Sequence, residues 1–501
     1  MPRKATGQKA MTRRELFAGV TAVGVSALGG NAFSPQTLAE PTRYQTVTPP
    51  HEVKSGTTPE SAEAGTRLNV LYIVADDLGW ADVGYHAPSE IRTPYIDRLV
   101  GEGIELDRFY GCPVCSPSRA CALTGRSPMR YGMIYAVVRP WATHGIPQEE
   151  RLLPEAFHSA GYQTWMVGKW HLGHWNAKLV PNARGFEHFY GFVSGEINYF
   201  DHTREGALDW QRNRKPIEEN GYSTDLFADE AVRLIEGRDK NRPFFMYLPF
   251  NAPHQPLMAP EDIVQSYASI KDRKRRTYAA MVTSMDKAIG RICQALERSG
   301  AAEHTLIVFH GDNGGQLLQG GINLPLRDGK STVFEGGIRV PAFLHCPGIL
   351  PGGIRSSQVL SNLDIFPTIA SAAKIKAGNT LDFDGHDLWQ VLRSNQIMPR
   401  EELFFAVGER GYWSHAIIRK EWKLVVEENQ EDHAKSTFLF QLEEDPFEKN
   451  NVAEHHPDLV KDLTDRIRQW RSLHPEGDID VSSKRHPGFA PPSDWSESAI
   501  T

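Results

Sequence analysis

The sequence predicts an α/β protein whose main domain contains a largely parallel central sheet flanked by helices. Runs rich in β-branched and aromatic residues are typical of buried strands, and they lie at 70–74, 164–167, 244–248 and 306–309. Between the last two runs, apolar residues recur at three- and four-residue steps from Tyr278 to Leu296, and Gly300 follows as a C-cap. A shorter helical pattern spans 225–235. Strands that alternate with helices indicate a parallel α/β sheet.

A smaller α+β subdomain is predicted after Pro367. Three strand-like runs lie at 416–419, 422–427 and 437–442, and an amphipathic helix follows at 457–473. This order predicts a small antiparallel sheet with a covering helix. The domain boundaries that follow are 66–367 for the main domain and 368–481 for the C-terminal subdomain. The polar, Pro-rich tail at 482–501 is expected to lie loosely on the surface.

Residues 1–39 are predicted to form an export signal. Arg13 and Arg14 precede a mildly apolar run rich in Gly and Ala, which resembles a twin-arginine signal, although a flexible basic tail is the alternative. The run is too short and too weakly apolar for a stable membrane span. Residues 40–65, rich in Thr, Pro and Ser, are predicted to be a linker. We therefore expect a periplasmic or secreted protein that is exported folded by the twin-arginine translocon.

Charge and cysteine content narrow the class of protein. The formal net charge of the 501 residues is -7 at pH 7, and no basic run outweighs it, which argues against a nucleic-acid partner. A local cluster of cations would still suffice for an anionic substrate. The chain has 5 cysteines, an odd number, and Cys112, Cys115 and Cys121 are closely spaced. This pattern does not fit a disulfide framework.

Each of the four predicted strands of the main domain runs directly into a polar cluster. These clusters are Asp76-Asp77, Gly168-Lys169-Trp170-His171, Asn251-Ala252-Pro253-His254 and His310-Gly311-Asp312-Asn313. Ligands bind at the carboxyl edge of the strands in α/β sheets, so the clusters are predicted to meet at one site.

The oxygen-bearing side chains of these clusters indicate a hard divalent cation. Asp76, Asp77, Asp312 and Asn313 offer carboxylate and amide oxygens, which suit Ca²⁺ or Mg²⁺ better than zinc. Alternatively, Asp76 and Asp312 cap the turns that follow their strands. Acidic residues at two matching strand ends favour the metal.

The segment that starts at Cys115 is predicted to begin a short helix and to bind an anion. Ser116 is expected to cap this helix, Pro117 to occupy its first position and Gly125 to end it. Free N–H groups at the start of a helix favour an anion, and the guanidinium of Arg119 matches sulfate or phosphate oxygens. Lys169 and Lys330 are candidates for further positive charge.

The role of Cys115 stays open at this level. Cys112 and Cys115 could form a CxxC redox or metal pair, although the segment lacks a thioredoxin-like pattern and a second cysteine pair. Cys115 could also act as a thiolate nucleophile beside His171 or His254. A soft thiolate is, however, a poor partner for a cation held by carboxylates.

Several segments together resemble the type I sulfatases. They are Cys115-Ser-Pro-Ser-Arg119 with Leu123-Thr-Gly-Arg126, Gly161 to Thr164, Gly168 to Gly173, Glu335 to Pro341, Asp364 to Thr368, and Trp422-Lys423-Leu424. The resemblance covers roughly residues 68–452, and the segments occur in the family's order. It implies an alkaline-phosphatase-like α/β core with a smaller C-terminal sheet.

The resemblance also implies a mechanism. Cys115 is oxidised to formylglycine by a formylglycine-generating enzyme, and a hydroxyl of the aldehyde hydrate attacks the sulfur of a sulfate ester. One Ca²⁺, or less readily Mg²⁺, is bound by Asp76, Asp77, Asp312, Asn313 and the group at position 115. The positive charges that stabilise the sulfate oxygens come from Arg119, Lys169 and Lys330. His254, or secondarily Lys330, protonates the leaving alcohol, and His171 removes a proton from the remaining hydroxyl.

The chain departs from the family pattern in one place, because His310 and Gly311 precede Asp312 where relatives more often carry a small hydroxyl residue. This departure bears on local packing or substrate contacts rather than on the metal. The segments at 172–202 and 315–330 look most like arylsulfatase B-type enzymes, which remove sulfate from N-acetylgalactosamine. We therefore predict a sulfated sugar of a glycan as the substrate. Trp141, His144 and His202 are candidates for its pocket, with ordinary loop packing as the alternative.

Two other functions compete with this prediction. A phosphate or phosphonate ester hydrolase of the same superfamily needs similar charges and a similar metal. A non-catalytic glycan-binding relative is the second alternative, against which the complete set of expected catalytic residues speaks.

Overall fold

The computed structural model of the protein describes residues 67–86, 89–378, 381–409, 411–476 and 488–496. The predicted export signal at 1–39 and the predicted linker at 40–65 lie outside these ranges.

A ten-stranded sheet forms the centre of the main domain. The strands of this domain are β1 (Asn69–Ala75), β2 (Ile104–Tyr110), β3 (Gln163–Lys169), β4 (His188–Phe192), β5 (Thr203–Arg204), β6 (Ala207–Leu208), β7 (Gln211–Arg212), β8 (Lys215–Pro216), β9 (Phe244–Pro249), β10 (Thr305–Gly311), β11 (Ala342–His345) and β12 (Ile354–Ser361).

The strand order in the sheet is β12-β2-β11-β10-β1-β9-β3-β4-β7-β8, and a separate hairpin pairs β5 with β6. The five central strands, β10-β1-β9-β3-β4, are parallel to one another. They are almost entirely buried, as expected for a parallel sheet with both faces covered.

Helices cover both faces of this sheet. One apolar core includes Phe157 and Phe366, and a second core on the other face includes Phe227 and Met285. The helices are α1 (Pro94–Gly101), α2 (Cys115–Thr124), α3 (Leu153–Ser159), α4 (Ser223–Glu236), α5 (Glu261–Gln265), α6 (Arg273–Arg298), α7 (Glu335–Ile338), α8 (Ile365–Ala372), α9 (Trp389–Arg393) and α10 (Pro457–Arg471). The mainly parallel α/β architecture predicted from the sequence is confirmed. None of these helices, in the described ranges, is long and apolar enough to cross a membrane.

The long predicted helix is α6, and its ends have clear local causes. The side chain of Asp272 caps its start by accepting a hydrogen bond from Arg275 N, 2.7 Å away. Its C-cap is Ser299, and Gly300 follows with a left-handed φ of 68°. The glycine therefore ends the helix one position after the cap, where a residue with a side chain would be strained.

The C-terminal part contains the predicted antiparallel sheet and its helix. The strands β13 (Leu403–Glu409), β14 (Tyr412–Arg419), β15 (Trp422–Asn429) and β16 (Lys435–Gln441) pair in chain order. Leu463 and Ile467 of α10 pack on one face of this sheet. The other face packs Phe440 against Phe334 of the main domain. Strand β13 has no counterpart among the predicted elements, and Pro367, the predicted domain boundary, lies inside α8.

The last described segment, 488–496, is packed against the main domain. Trp495 is 1% exposed, its backbone N donates to Leu208 O (3.0 Å), and its Nε1 donates to Arg204 O (3.1 Å). The ring of Phe489 contacts that of Trp141 at a centroid distance of 6.1 Å. The prediction of a loose tail is therefore wrong for this segment, because two aromatic side chains anchor it.

Candidate active site

The polar clusters meet at the carboxyl ends of β1, β3, β9 and β10, as the sequence predicts. Asp76 N donates to Ala252 O at 3.0 Å and Asp312 N donates to Ala75 O at 2.9 Å, so hydrogen bonds join the segments that follow β1, β9 and β10. Asp77 and His171 both have left-handed backbones, with φ of 65° and 60°. Such conformations cost about 1–3 kcal/mol each and are held by the surrounding structure, which is a frequent property of functional sites.

Helix α2 starts at Cys115 itself, and Val114 is its N-cap. The prediction that Ser116 caps the helix is wrong, because its hydroxyl donates to His171 O (2.8 Å) and accepts from Val138 N (3.0 Å). Pro117 accordingly takes the third helical position rather than the first. Gly125 ends the helix with φ of 67°, as predicted. Position 115 thus lies at the positive end of a buried helix.

Each carboxylate of the site is in contact with at least one cation, and Asp76 also has Arg119 Nη2 at 3.5 Å from its Oδ2. Lys169 Nζ lies 2.5 Å from Asp76 Oδ2, and Lys330 Nζ lies 2.7 Å from Asp77 Oδ1. Arg119 Nη2 lies 2.8 Å from Asp312 Oδ2. We call these six residues with Cys115 the active-site cluster.

The cations of the cluster keep a buried carboxyl group ionised. Burial alone would raise the pKa of Asp76, but Lys169, His254 and Arg119 together hold it below its usual value. The cluster therefore carries opposite charges close together, away from bulk water.

The thiol of Cys115 is surrounded by this cluster. Its Sγ donates to Asp76 Oδ1 at 3.3 Å, and Lys330 Nζ lies 3.5 Å from the sulfur. Burial and then the charge of Asp76 raise the pKa of the thiol well above its usual value, against the opposing effect of Lys169 and Lys330. A protonated thiol is a weak nucleophile, so the geometry argues against a thiolate mechanism. All five cysteines are free, so Cys112 and Cys115 form no disulfide.

The two histidines differ in their hydrogen bonding. His171 Nε2 faces Val138 O at 3.0 Å and therefore carries the proton, while no partner for the buried Nδ1 occurs among the described residues. Burial, followed by the charges of Lys169 and Arg119, lowers the pKa of His171 well below its usual value. His171 is thus a neutral imidazole with an available lone pair.

His254 is placed between two carboxylates. Its Nδ1 lies 2.7 Å from Gln255 O and 3.6 Å from Glu196 Oε2, and its Nε2 lies 3.7 Å from Asp77 Oδ2. Glu196 had no role in the sequence-based prediction, since it lies in a loop without a distinctive pattern. Burial alone would raise the pKa of Glu196, but His254 and Arg204 lower it to about 2. The ionised carboxylate of Glu196 therefore lies within ion-pairing distance of the His254 ring.

The site has the donor atoms for a divalent cation. Ligand atoms of Asp76, Asp77, Cys115 and His254 all lie within 4.8 Å of one another. Asp312 Oδ1 accepts from Asp77 N (3.2 Å), and Asn313 Nδ2 donates to Asp77 Oδ1 (2.7 Å). The buried Asn313 Oδ1 has no hydrogen-bond partner among the described residues. A 180° rotation of this amide would exchange its nitrogen and oxygen, so the predicted oxygen donors fit a hard cation.

A cavity of about 230 Å³ opens beside Cys115, and we call it the active-site cavity. His171, His254 and Lys330 line it, as does Trp141, whereas His144 and His202, both described, do not. His202 stacks on Trp210 at a centroid distance of 4.2 Å, which makes it a packing residue. His310 is also a packing residue, because its Nε2 lies 2.7 Å from Tyr72 OH and burial lowers its pKa to about 4. The departure from the family pattern at 310 thus leaves Asp312 in place.

A second buried group of charges lies between the main domain and the C-terminal sheet. Lys423 Nζ lies 2.9 Å from Glu335 Oε1 and 2.8 Å from Glu448 Oε1, and Glu335 N donates to Glu448 Oε2 at 2.7 Å. We call these three residues the junction cluster. Lys423 and Glu335 belong to segments that carry the family resemblance. Their pairing cannot be predicted from the sequence, because 88 positions separate them.

The α/β fold, with acidic and basic side chains gathered around a helix N-terminus at the carboxyl edge of the sheet, is that of a hydrolase, and the chain belongs to the sulfatase family. The family described as Sulfatase matches residues 68–375, and the family described as N-sulphoglucosamine sulphohydrolase, C-terminal, matches residues 328–472. The resemblance to type I sulfatases is confirmed, and the protein is a sulfuric ester hydrolase.

Individual relatives agree with this assignment. Arylsulfatase J of Mus musculus is 32% identical over 462 residues, which cover 82% of this chain and 77% of the relative. N-acetylgalactosamine-6-sulfatase of Mus musculus is 31% identical over 479 residues, which cover 85% and 90%. The crystal structure of Ps i-CgsB in complex with k-i-k-neocarrahexaose is similar with a TM-score of 0.76 and 33% identity, covering 83% of this chain and 96% of that chain.

Proposed function

We propose that this sulfatase removes a sulfate ester from a sugar of a sulfated glycan, with a formylglycine at position 115 and a bound Ca²⁺. The observation that carries the proposal is the state of Cys115. A buried thiol held in its protonated form, at a helix N-terminus amid three cations, is a poor nucleophile in a site well suited to an anion. Oxidation to an aldehyde, whose hydrate offers a hydroxyl, resolves this contradiction.

The cation would be held by Asp76, Asp77, Asp312 and Asn313 together with position 115. When bound, it supplies positive charge that polarises the sulfate ester and lowers the pKa of an oxygen nucleophile. The proximity of the donor atoms of Asp76, Asp77 and Cys115, within 4.8 Å of one another, supports this ligand set, as does Asn313 Oδ1, which has no hydrogen-bond partner among the described residues. An all-oxygen set of carboxylates and an amide favours Ca²⁺ over softer metals.

The remaining residues bind the sulfate and transfer protons. Arg119, Lys169 and Lys330 balance the negative charge that develops on the sulfate oxygens as the S–O bond breaks. His254 lines the active-site cavity and lies 3.6 Å from Glu196 Oε2, and it donates a proton to the departing alcohol oxygen. His171 accepts a proton from the remaining hydroxyl of the aldehyde hydrate. It does so through Nδ1, because its Nε2–H donates to Val138 O. Water is consumed, and the alcohol and sulfate are released.

The relatives favour a glycan as the substrate. One relative is named for N-acetylgalactosamine 6-sulfate, and a structurally similar protein binds k-i-k-neocarrahexaose. In this chain Trp141 lines the active-site cavity together with charged and amide side chains. An aromatic face among polar groups suits a sugar, which has both apolar and hydroxyl surfaces.

Modification and hydrolysis can be tested together. The protein is produced with a formylglycine-generating enzyme, and the peptide that contains Cys115 is analysed by mass spectrometry. Release of 4-nitrophenol is then compared for 4-nitrophenyl sulfate and 4-nitrophenyl phosphate, with Cys121→Ala as a control for a cysteine of the same helix. We expect an aldehyde at position 115 and a preference for the sulfate ester. An unmodified thiol in fully active enzyme would contradict the mechanism, and a preference for phosphate would contradict the reaction class.

We also propose that the protein is exported by the twin-arginine translocon to the periplasm or the medium. The pair Arg13 and Arg14 ahead of a mildly apolar run supports this proposal. Replacing both arginines by lysine should retain active sulfatase in the cytoplasm. Undiminished export of the variant would count against it.

A further inference from the structure

We propose that a second cavity, next to the active-site cavity, binds another sulfated sugar of the same glycan chain. This inference rests on the proposed function and specifies its substrate as an oligosaccharide with at least two anionic groups. The second cavity has a volume of about 550 Å³, against about 230 Å³ for the active-site cavity. Glu196, Arg204 and Gln255 line both cavities, so the two are neighbouring parts of one groove.

The walls of the second cavity suit a hydrophilic, chain-like ligand. Besides the three shared residues, the wall includes Asn198, Thr203, Thr277 and Gln319. Such hydroxyl and amide groups exchange hydrogen bonds with sugar hydroxyls. A volume of this size is typical of sites that enclose a small organic ligand.

The second cavity also has positive charge that is not neutralised locally. Arg273 and Lys274, at the start of α6, line the cavity, are exposed and have no carboxylate partner among the described residues. Lys274 Nζ donates to Leu318 O at 2.8 Å, and this hydrogen bond holds the ammonium group of Lys274 at the wall of the cavity. Arg204, by contrast, is paired with Glu196 and with Glu205, at 3.5 Å from the latter. The two acidic residues of the wall therefore pair with Arg204, and the charges of Arg273 and Lys274 remain for an anionic ligand.

Hydrogen bonds connect the two cavities. Gln319 Nε2 donates to Gln255 Oε1 at 2.8 Å, and Gln255 Nε2 donates to Glu196 Oε2 at 3.1 Å. The same Glu196 oxygen lies 3.6 Å from His254 Nδ1. A sugar bound against these amides is therefore placed directly beside the residue proposed to protonate the leaving alcohol. The groove would hold one sulfate at Cys115 and a neighbouring one near α6.

The test compares a long and a short substrate. The double variant Arg273→Ala/Lys274→Ala is assayed on k-i-k-neocarrahexaose, by sulfate release, and on 4-nitrophenyl sulfate, which is too small to fill both cavities. Lys287→Ala is the matched control, because Lys287 is an exposed cation of the same helix that does not line the cavity. Two partly exposed charge contacts correspond to a loss of about tenfold in kcat/KM, mainly through KM. We expect this loss for the hexaose only. The kcat/KM of the double variant on the hexaose should also depend less on salt concentration than that of the wild type.

Further variants separate the outcomes. Arg273→Lys/Lys274→Arg keeps both charges and should retain at least half of the wild-type kcat/KM on the hexaose. Binding of the hexaose to the Cys115→Ala protein, measured by calorimetry, should weaken by a similar factor when Arg273 and Lys274 are replaced. If the double substitution leaves sulfate release from the hexaose unchanged, this inference is overturned while the proposed function stands. Failure of the wild-type, modified enzyme to release sulfate from either substrate would overturn the proposed function as well.

Discussion

The active-site cluster and the junction cluster are both buried groups of carboxylates and cations, but they differ in what surrounds them. In the active-site cluster, Cys115 and Lys330 line an open cavity, and the side-chain oxygen of the neighbouring Asn313 has no hydrogen-bond partner in the described part of the chain. In the junction cluster, the ammonium of Lys423 is shared by two carboxylates, and Lys423 itself is completely buried. Similar charges thus support chemistry where they face a cavity, and domain association where they are enclosed.

A short segment of chain joins the two clusters. Lys330 belongs to the active-site cluster, and Glu335, five residues later, belongs to the junction cluster. Three residues before Lys330, Arg327 also holds the chain to the C-terminal part, because its Nη1 donates to Glu448 O at 3.0 Å and its guanidinium lies 4.0 Å from the ring centroid of Phe334. The C-terminal sheet therefore helps to fix the position of an active-site lysine.

The largest expected effect comes from removing the reactive residue. Cys115→Ala should lower kcat/KM on 4-nitrophenyl sulfate by at least about 10⁴-fold, since a nucleophile that acts with other groups cannot be partly replaced. The melting temperature should change little, because the substitution leaves the ion pairs of the cluster intact. A variant with substantial residual activity would show that Cys115 is not the precursor of the nucleophile.

Breaking the junction cluster should instead affect stability. Lys423→Met leaves two buried carboxylates without their cation, and removal of one partner from a buried ion pair costs about 3–5 kcal/mol in free energy of unfolding. Denaturant unfolding measures this change. Lys435→Met, an exposed lysine on the neighbouring strand, is the control. If Lys423→Met abolished catalysis and left the unfolding free energy unchanged, the distinction between the two clusters would fail.

The junction cluster is also expected to make stability depend on pH. Burial raises the pKa of Glu448 to about 7, with a further contribution from Glu335 and against the effect of Lys423. A raised pKa means that the folded state binds more protons than the unfolded state between about pH 4.5 and pH 7, so folding stability falls as pH rises through this window.

Glu448→Gln mimics the protonated form and lacks this titration. Its stability relative to the wild type should therefore improve between pH 5 and pH 7.5, by roughly 2 kcal/mol. Melting temperatures of both proteins across this range provide the measurement. A relative stability that worsens with rising pH would contradict the assigned direction of the shift.

The smallest expected effect concerns the carboxylate that supports His254. Glu196→Gln should lower kcat/KM by about tenfold on a sugar sulfate, because the proposed general acid His254 loses the carboxylate that lies 3.6 Å from its Nδ1. The loss should be smaller on 4-nitrophenyl sulfate, whose leaving group needs less protonation. Glu205→Gln, which alters another partner of Arg204, is the control. Equal losses on both substrates would indicate that Glu196 only maintains the shape of the cavity.

Much of the fold and most of the site can be predicted from the sequence, because both depend on local patterns. Periodicity is sufficient to find α6, and the carboxyl-edge rule is sufficient to bring Asp76, Lys169 and Asp312 together. The cap of α2 was mispredicted, because the Ser116 hydroxyl bonds to distant backbone groups instead of to its own helix. Local propensity gives no information about such tertiary contacts.

Contacts between distant segments account for the other differences. Lys423 and Glu335 stand in recognisable segments, but nothing in either segment specifies its partner. The packed segment around Trp495 lies in a polar, Pro-rich stretch whose composition suggests exposure, whereas two aromatic side chains, Phe489 and Trp495, hold it in place. His202 has the residue type of a ligand-binding group, and only its stacking on Trp210 identifies it as a packing residue.

The burial of α2 has a consequence for the quality of the enzyme that a cell produces. All of its residues are buried, and Cys115 is 1% exposed. Once the protein is folded, this side chain can be approached only through the narrow active-site cavity, so the proposed oxidation is expected to take place during or shortly after synthesis. Under the proposed mechanism, a molecule that folds with its thiol intact would stay inactive. The fraction of active sulfatase would then be set by the relative rates of modification and folding.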